Sequence, residues 1–303
     1  MTWKRVATAA VLIPFVVGLV LLGSIAWVSV GLALIVTVAM LEYFALGDAI
    51  GHRAYRAWTI VCAILIIFAQ WSLAERSRPR AKLEVRSATA SPAPTDVSAR
   101  PALVAGRSLT LNLQDVLFLF VLGVAGLTLR TKRPPVEALP AAGISASGLL
   151  LVAFPLSFAV RLHGLGGAGP RLLLFALVIT WAGDTVAYFV GRAIGKHPFA
   201  PALSPKKTWE GAVAGFAGSL LVGYAFSWWL QASVPHLLAM AGVGNVAGQV
   251  GDLLESAYKR SAGVKDSGAL LPGHGGVLDR IDALILAIPA VWYYWVLVYS
   301  PGK

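Results

Sequence analysis

The chain has 303 residues, of which 57% are apolar and only 13% are charged, against about 45–50% and about 25% in an average soluble domain. This composition excludes an ordinary soluble globule, a disordered chain and a coiled coil, and it indicates a polytopic membrane protein. The formal net charge of +11 is then explained by Lys- and Arg-rich cytoplasmic loops beside anionic lipid, so we expect no nucleic-acid partner.

Nine apolar stretches predict an all-α membrane bundle of about nine transmembrane helices, since a spanning helix needs about 20 mostly apolar residues. The first stretch follows a short basic head and continues almost directly into the second, which favours an uncleaved span over a signal peptide. The predicted spans are residues 6–22, 25–45, 57–74, 113–129, 143–161, 171–190, 210–230, 235–257 and 282–299. The eighth is rich in Gly and Ala, which favours close helix packing inside the bundle.

The spans predict a single membrane domain over residues 1–303, with N-terminal spans in 1–140 and the catalytic spans and cytoplasmic loops in 171–300. Residues 75–112 between the third and fourth spans are rich in Pro, Ala, Ser and Arg and lack apolar periodicity, which predicts a mobile polar insertion. No internal repeat is visible, which lowers the expectation of a transporter built from repeated halves.

The distribution of Lys and Arg predicts an N-terminus on the inner side of the cell (inner) membrane. Most basic residues outside the insertion then fall in cytoplasmic segments, as the positive-inside rule requires. The insertion is the exception, because its seven basic residues would face outward: Arg76, Arg78, Arg80, Lys82, Arg86, Arg100 and Arg107. This orientation places the loops after the sixth and eighth spans in the cytoplasm.

Ionisable residues at membrane depth are concentrated in the last third of the chain. Charges inside a bilayer are costly, so such residues are functional candidates. Seven of the 14 acidic residues lie there: Asp184, Glu210, Asp252, Glu255, Asp266, Asp279 and Asp282. The acids Glu42, Asp48 and Asp115 lie near the ends of earlier spans, where solvation at the membrane interface is the expected explanation.

Three carboxylates predict a site for a hard metal ion. Asp279 and Asp282 are three residues apart at the start of the last helix, so both could point at one ion, and Asp252 could add a third oxygen from the preceding helix. Carboxylates without Cys neighbours suit Mg²⁺. An alternative for Asp252 is an ion pair with Lys259 on the same helix face, which would only hold the helix to its neighbour.

Two further motifs favour anion binding. The glycine-rich run at residues 272–276 lets backbone N–H groups approach a phosphate, as in phosphate-cradling loops; whether His274 in this run is structural or catalytic stays open. Ser204 followed by Pro205 predicts a helix N-cap with Pro in the first turn. Lys206 and Lys207 would then lie at the positive end of that helix, although a basic cytoplasmic loop is an alternative.

The stretch SAYKRSAGVKDSGALLPGHGGVLDRID, residues 256–282, resembles the signature of the phosphatidate cytidylyltransferase (CDP-diacylglycerol synthase) family. That signature reads S-x-x-K-R-x4-K-D, then a short gap, then H-G-G-x-x-D-R-x-D. The matching residues are Ser256, Lys259, Arg260, Lys265, Asp266, His274, Gly275, Gly276, Asp279, Arg280 and Asp282. The resemblance extends upstream through residues 251–252, 204–211 and 184–188, so it covers about the last 130 residues.

The resemblance implies a helical membrane enzyme, a homodimer, that transfers CMP from CTP to phosphatidate and releases pyrophosphate. The carboxylates and the phosphate chemistry of this reaction indicate Mg²⁺ as cofactor; a second, monovalent cation at the same carboxylates stays open. With the resemblance we assign metal binding to Asp252, Asp279 and Asp282. The catalytic assignments are Lys259, Arg260, Lys265, Asp266, His274 and Arg280, and the substrate-binding assignments are Ser204, Lys206, Lys207, Ser256, Gly275 and Gly276.

Two other functions are weighed against this one. The first is a related membrane enzyme that uses CTP differently, such as a polyprenol-type CTP-dependent kinase or a cytidylyltransferase for another lipid. The second is an ion-coupled transporter with Asp184 and Asp252 as a midplane cation site. A transporter would need neither the Gly-His-Gly-Gly loop nor the clustered basic residues, so the sequence favours the enzyme.

Overall fold

A computed structural model describes residues 2–77, 111–131, 133–270 and 275–299, and these residues are almost entirely helical, which confirms the predicted all-α fold. The helices are α1 (Thr2–Leu22), α2 (Ile25–Ala49), α3 (Arg56–Arg76), α4 (Leu113–Arg130), α5 (Ala138–Gly148), α6 (Phe154–His163), α7 (Gly169–Ile194), α8 (Trp209–Ala225), α9 (Val234–Ser261) and α10 (Leu278–Tyr293). A π-helical turn, Leu149–Ala153, joins α5 to α6, and another, Tyr294–Tyr299, extends α10. His274 and most of the predicted insertion lie outside the described residues.

Eight helical stretches among the described residues are long and apolar enough to cross a membrane. They correspond to the second to ninth predicted spans: Ile25–Ala49, Arg56–Arg76, Leu113–Arg130, Pro135–His163, Gly166–Ile194, Trp209–Trp228, Val234–Ser261 and Leu278–Tyr299. The first predicted span lies on α1, where Ala10–Leu22 forms a shorter apolar helix. Large side chains such as Trp27, Leu34 and Phe118 face outward, as on a surface that contacts lipid tails. The chain is a multi-pass membrane protein.

The helices of the C-terminal half pack closely through glycine. A Cβ atom on Gly215 of α8 would lie 2.7 Å from the carbonyl oxygen of Gly183 on α7. A Cβ atom on Gly251 of α9 would lie 2.6 Å from the backbone oxygen of Asp282 on α10. These separations are possible only without a side chain, and they bring the backbones that carry the acidic residues together. The prediction for the eighth span holds for this face of α9, whereas Val246 on the opposite face is 52% exposed.

One end of the bundle, which we call the hairpin end, gathers the segments that matter for function. A short antiparallel hairpin of β1 (Pro198–Ala200) and β2 (Ser204–Thr208) connects α7 to α8 there. The guanidinium of Arg260, near the end of α9, donates to the carbonyl oxygen of Leu203 in the hairpin turn. The carboxylate of Glu42, near the end of α2, reaches the first residue of α10. The last turns of α2 and α9 and the first turns of α8 and α10 therefore lie at the same end.

The prediction that Ser204 caps a helix beginning at Pro205 is wrong. Ser204–Thr208 forms strand β2, and α8 begins at Trp209 with Thr208 as its N-cap, whose side-chain oxygen accepts from the Gly211 N–H at 3.2 Å. Pro has no N–H to donate, which suits the edge of a two-stranded hairpin as well as a first helical turn. Pairing with β1 makes this segment a strand and not the first turn of a helix. Successive strand residues point to opposite faces, so Lys206 and Lys207 leave the hairpin on different sides and do not lie on the first turn of a helix.

Candidate active site

The loop that leads into α10 is held by a carboxylate from the other half of the chain. Glu42 on α2 is buried, and its oxygens accept from the backbone N–H groups of Val277 at 3.0 Å and Leu278 at 2.7 Å. The hydroxyl of Ser267 donates to the same carboxylate at 3.2 Å. The first N–H groups of a helix have no partner within it, and a negative charge there is favourable. Glu42 therefore fixes both the start of α10 and the loop before it.

The expectation that Glu42 is solvated at the membrane interface is wrong. The only sequence signal for its role is a single carboxylate within an otherwise apolar span. That signal cannot identify the partners, which lie 225 to 236 residues further along the chain. Because two backbone N–H groups and one hydroxyl converge on it, Glu42 is a positioning residue for the signature loop.

A second buried group, the Lys259 cluster, consists of Glu255, Lys259 and Asp279. The Lys259 ammonium forms ion pairs with Glu255, one turn earlier on α9, and with Asp279 Oδ1 on α10 at 2.6 Å. The Asp279 side chain also accepts from the backbone N–H groups of Gly276 at 2.8 Å and Ser267 at 3.0 Å. Asp279 is only 6% exposed. Both carboxylate oxygens of Asp279 accept hydrogen bonds from protein groups. The cluster therefore ties α9, the loop and α10 together.

The two glycines of the signature loop are explained by this packing. Gly275 has φ of +80°, a conformation that L side chains rarely adopt, and its Cβ would lie 2.7 Å from Asp279 Oδ2. A Cβ on Gly276 would meet the Glu42 carboxylate and the Ser267 hydroxyl. The N–H groups of Gly276, Val277 and Leu278 all donate to protein carboxylates. These three groups are thus engaged within the protein. Most of the run that predicts a phosphate cradle, residues 272–274, lies outside the described residues.

A third group, the Asp252 cluster, lies beside the hairpin and consists of Asp184, Asp252, Asp282, Lys207 and Arg280. Lys207 forms an ion pair with Asp252, and both side chains are about 30% exposed. Ser256 lies one turn from Asp252, with 3.5 Å between its hydroxyl and Oδ1. Asp184 on α7 is close enough to interact electrostatically with Asp252, Lys207 and Arg280. The cluster is therefore accessible from the hairpin end and carries both signs of charge.

Asp282 is the least compensated member of the Asp252 cluster. The carboxylates of Asp252, Glu255 and Asp184 all act on it electrostatically. Its recorded hydrogen bond is from the adjacent Ala283 N–H at 2.8 Å. Among the described residues it has no Lys or Arg within ion-pair distance. A half-buried carboxylate beside other carboxylates and without a cation is costly, so this position suits a bound cation.

The structure separates the predicted metal trio. Asp252 and Asp282 belong to one cluster, whereas Asp279 belongs to the Lys259 cluster, because its side chain folds back onto the N–H groups that precede α10. In the part of the chain that the structure describes, no group of three or more His, Cys, Asp or Glu side chains is arranged to hold a metal. Asp184 is the carboxylate that the metal assignment left out. In the sequence, a functional role for Asp184 is indicated by its position inside a predicted span.

The remaining assigned residues differ in their surroundings. Arg260 is exposed, and its guanidinium also stabilises the neighbouring loops, because it donates to Leu203 O at 3.1 Å and to Val264 O at 3.0 Å. Lys206, Lys265, Asp266 and Arg280 are exposed at the hairpin end, and Ser204 is half-buried in β2. Lys259, assigned as catalytic, has its ammonium between Glu255 and Asp279. His274 lies outside the described residues.

This arrangement can bind a polyanion. Two carboxylates suffice for Mg²⁺, which keeps several waters and binds substrate phosphates, and Asp252 and Asp282 offer oxygens of that kind. The exposed Lys206 and Arg280 and the half-buried Lys207 lie at the same end of the bundle. Phosphates beside such cations lose part of their mutual repulsion. The site therefore suits an anionic ligand that carries phosphate groups.

The chain was compared with known proteins. The model of the cytidylyltransferase family matches residues 3–298. The phosphatidate cytidylyltransferase of Haemophilus influenzae is 44% identical over 136 residues, which are 43% of this chain and 47% of the relative. The proteins of the same name from Staphylococcus epidermidis and Staphylococcus aureus are 46% and 44% identical over 123 residues, 40% of this chain and 47% of each relative.

The match to the curated relatives is partial, whereas the match to the family model is not. The chain spans about half the length of the curated relatives it matches. The family model covers almost the whole chain, including the Lys259 and Asp252 clusters and Glu42. On this coverage, and with the site geometry described above, the chain belongs to the cytidylyltransferase family.

Proposed function

We propose that this protein is a phosphatidate cytidylyltransferase, which transfers CMP from CTP to phosphatidate and yields CDP-diacylglycerol and pyrophosphate. The observation that carries the proposal is the Asp252 cluster, where three helices and the hairpin bring carboxylates and basic side chains together at one membrane end. Family membership and the relatives that carry this name support the choice of reaction.

Mg²⁺ would be held by Asp252 and Asp282, with Asp184 and the Ser256 hydroxyl close by. The fit rests on the donor set, since hard oxygen ligands suit this ion, and on the uncompensated charge of Asp282. When bound, the ion supplies charge neutralisation for the phosphates of CTP. The Lys207 ammonium is paired with Asp252 in this structure and would donate to a phosphate oxygen of a ligand bound beside that carboxylate.

The reaction needs positioning more than acid–base chemistry. A phosphate oxygen of phosphatidate bonds to the α-phosphorus of CTP, the bond from that phosphorus to the bridging oxygen breaks, and pyrophosphate leaves. A phosphate monoester is largely ionised near neutral pH, so no protein nucleophile is required. Lys206, Lys207 and Arg280 are the basic side chains placed to bind the approaching anions. Glu42 and the Lys259 cluster hold the loop before α10 and the start of that helix, whose first turns carry Arg280 and Asp282.

A labelling experiment tests the reaction against its nearest competitors. Purified protein in lipid–detergent micelles receives CTP labelled either at the α- or at the γ-phosphate, Mg²⁺, and phosphatidate, a polyprenol or a polyprenyl phosphate. We expect α-label, and no γ-label, in the lipid product with phosphatidate alone. Lipid labelled from the γ-phosphate would identify a CTP-dependent kinase instead. Label from the α-phosphate on polyprenyl phosphate alone would show that this lipid, and not phosphatidate, is the acceptor. Asp282→Asn serves as the inactive control.

We also propose that the hairpin end faces the cytoplasm, where CTP is found, in the cell inner membrane. Cysteines introduced as Ala202→Cys and Ala269→Cys report on that end, because both alanines are exposed, and Gln231→Cys reports on the opposite end. The buried native thiol Cys62 is removed first. A membrane-impermeant thiol reagent should label intact cells only at Gln231→Cys. Rapid labelling of Ala202→Cys in intact cells would reverse the orientation.

We further propose a homodimer, as the resemblance to the family implies. Analytical ultracentrifugation in a solvent that matches the density of the detergent tests the dimer. A single species with the mass of a monomer at micromolar protein concentration would contradict it.

A further inference from the structure

A groove away from the active site combines arginines with an apolar wall. It lies between α3 and the second half of α4, at the hairpin end, and has a volume of about 1320 Å³. We call it the arginine groove, after four of its lining residues: Arg53, Arg56, Arg130 and Arg133. None of its lining residues belongs to the Asp252 or Lys259 cluster, so it is a separate feature.

The mouth of the groove carries an excess of positive charge. Its one lining acid, Asp48, is paired with Arg56. Arg133 donates to the Arg53 carbonyl oxygen at 2.5 Å, and its guanidinium lies 5.3 Å from the centre of the Tyr55 ring. Arg53 and Arg130 are exposed, and neither has an acidic partner within ion-pair distance in the described part of the chain. Two guanidinium groups are therefore available for an anion, and their planar forks suit phosphate oxygens.

The wall below the arginines is apolar and partly open. Val61 is 46% exposed and Leu127 is 37% exposed. Trp58 lies directly against Gly123, where a Cβ could not fit, and its indole N–H donates to the Phe120 carbonyl oxygen at 3.2 Å. A Cβ on Gly126 would meet no atom within 4 Å. Trp58 is thus fixed to one side, and the space beside Gly126 stays open for an acyl chain.

We propose that the arginine groove binds one anionic glycerophospholipid, with the phosphate on Arg53 and Arg130 and an acyl chain along Val61 and Leu127. A ligand with an anionic head and an apolar tail is complementary to both parts of the groove. A free phosphate would use only the arginines. A second copy of this chain, related by a two-fold axis through the groove, would bring two basic mouths together.

Native mass spectrometry of the full chain tests the proposal, with phosphatidylglycerol and phosphatidylcholine titrated separately. Phosphatidylglycerol is neither substrate nor product of the proposed reaction, so the result is independent of the proposed function. We expect tighter binding of one phosphatidylglycerol than of phosphatidylcholine. The double variant Arg53→Gln/Arg130→Gln and the variant Gly126→Leu should each weaken it about tenfold or more. The Cβ of Gly126→Leu would meet no atom within 4 Å, and Leu is a good helix former.

Arg76→Gln is the matched control, because Arg76 is an exposed arginine at the opposite end of α3, and it should leave the affinity unchanged. An equal loss with Arg76→Gln would reduce the effect to general headgroup attraction and overturn the proposal. Displacement of the lipid by millimolar inorganic phosphate would make the groove a free-anion site. A change of oligomeric mass in Gly126→Leu without any change in lipid affinity would make it an interface between copies.

Discussion

The two halves of the molecule differ in how their helices pack and in where their charged side chains gather. Helices α7 to α10 pack through glycine and carry two clusters of charged side chains between them. Helices α1 to α6 are packed through large apolar residues such as Phe44 and Ile66. Yet the first half contributes Glu42, which holds the start of α10 and its loop. The apolar half therefore takes part in building the active site, beyond anchoring the chain in the membrane.

The largest loss of activity is expected from a change in the Asp252 cluster, in contrast to the other charged residues. Asp282→Asn should lower the rate of CMP transfer about 10³-fold or more, because it removes a hard oxygen ligand and charge from the site where phosphate charge is balanced. The thermal unfolding midpoint should stay near that of the parent, since Asp282 has no ion-pair partner among the described residues. Asp115→Asn at the start of α4 is the control. Near-normal turnover of Asp282→Asn at saturating Mg²⁺ would contradict the assignment.

Asp279→Asn should act mainly on stability. It leaves Lys259 paired with Glu255 alone in a buried place, and breaking a buried ion pair costs about 3–5 kcal/mol. We expect a clearly lowered unfolding midpoint in detergent, together with lost transfer. A variant that unfolds like the parent and differs only in its Mg²⁺ requirement would return Asp279 to the metal site, as its spacing from Asp282 predicts.

Glu42→Gln tests the link between the halves. Three hydrogen bonds to a buried carboxylate would be weakened, at a cost of about 1–3 kcal/mol, and the loop would be held less firmly. We expect kcat to fall about tenfold or more, which corresponds to about 1.4 kcal/mol in the barrier. The readout specific to positioning is the split between kcat and the KM for CTP, with the KM little changed.

Glu137→Gln is the matched control for Glu42→Gln, because Glu137 lies in the short helical turn before α5. An unchanged kcat in Glu42→Gln would make this carboxylate a purely structural cap. A loss of the same size in Glu137→Gln would attribute the effect to charge alone.

The smallest effect is expected from the insertion. Replacement of residues 78–106 by a short Gly/Ser linker should lower CTP-dependent turnover in detergent by less than about tenfold, or about 1.4 kcal/mol. Loop closure depends only weakly on length, and the segment carries no acid pair or glycine-rich motif. A folded deletion protein without transfer would place the insertion in the catalytic unit and would reopen the topology.

Local features of the site were predictable from spacing on one helix. Asp252 and Ser256 are one turn apart on α9, and their side chains do lie together. Asp279 and Asp282 are three residues apart on α10, and in this structure their side chains belong to different clusters. Asp279 lies in the first turn, where free backbone N–H groups compete for its carboxylate, and Lys259 from the neighbouring helix completes its surroundings. Spacing alone does not include that competition.

The sequence by itself determined the helical membrane fold and the signature, because apolar length and fixed polar spacing are local properties of the chain. Only the tertiary structure decided that Ser204–Thr208 is a strand, that Glu42 reaches α10, and that Asp279 and Asp282 separate. Each of these depends on a partner that is distant in the chain or brought in by packing. A carboxylate takes the nearest donors in space, and α2 and α10 become neighbours only when the bundle has formed.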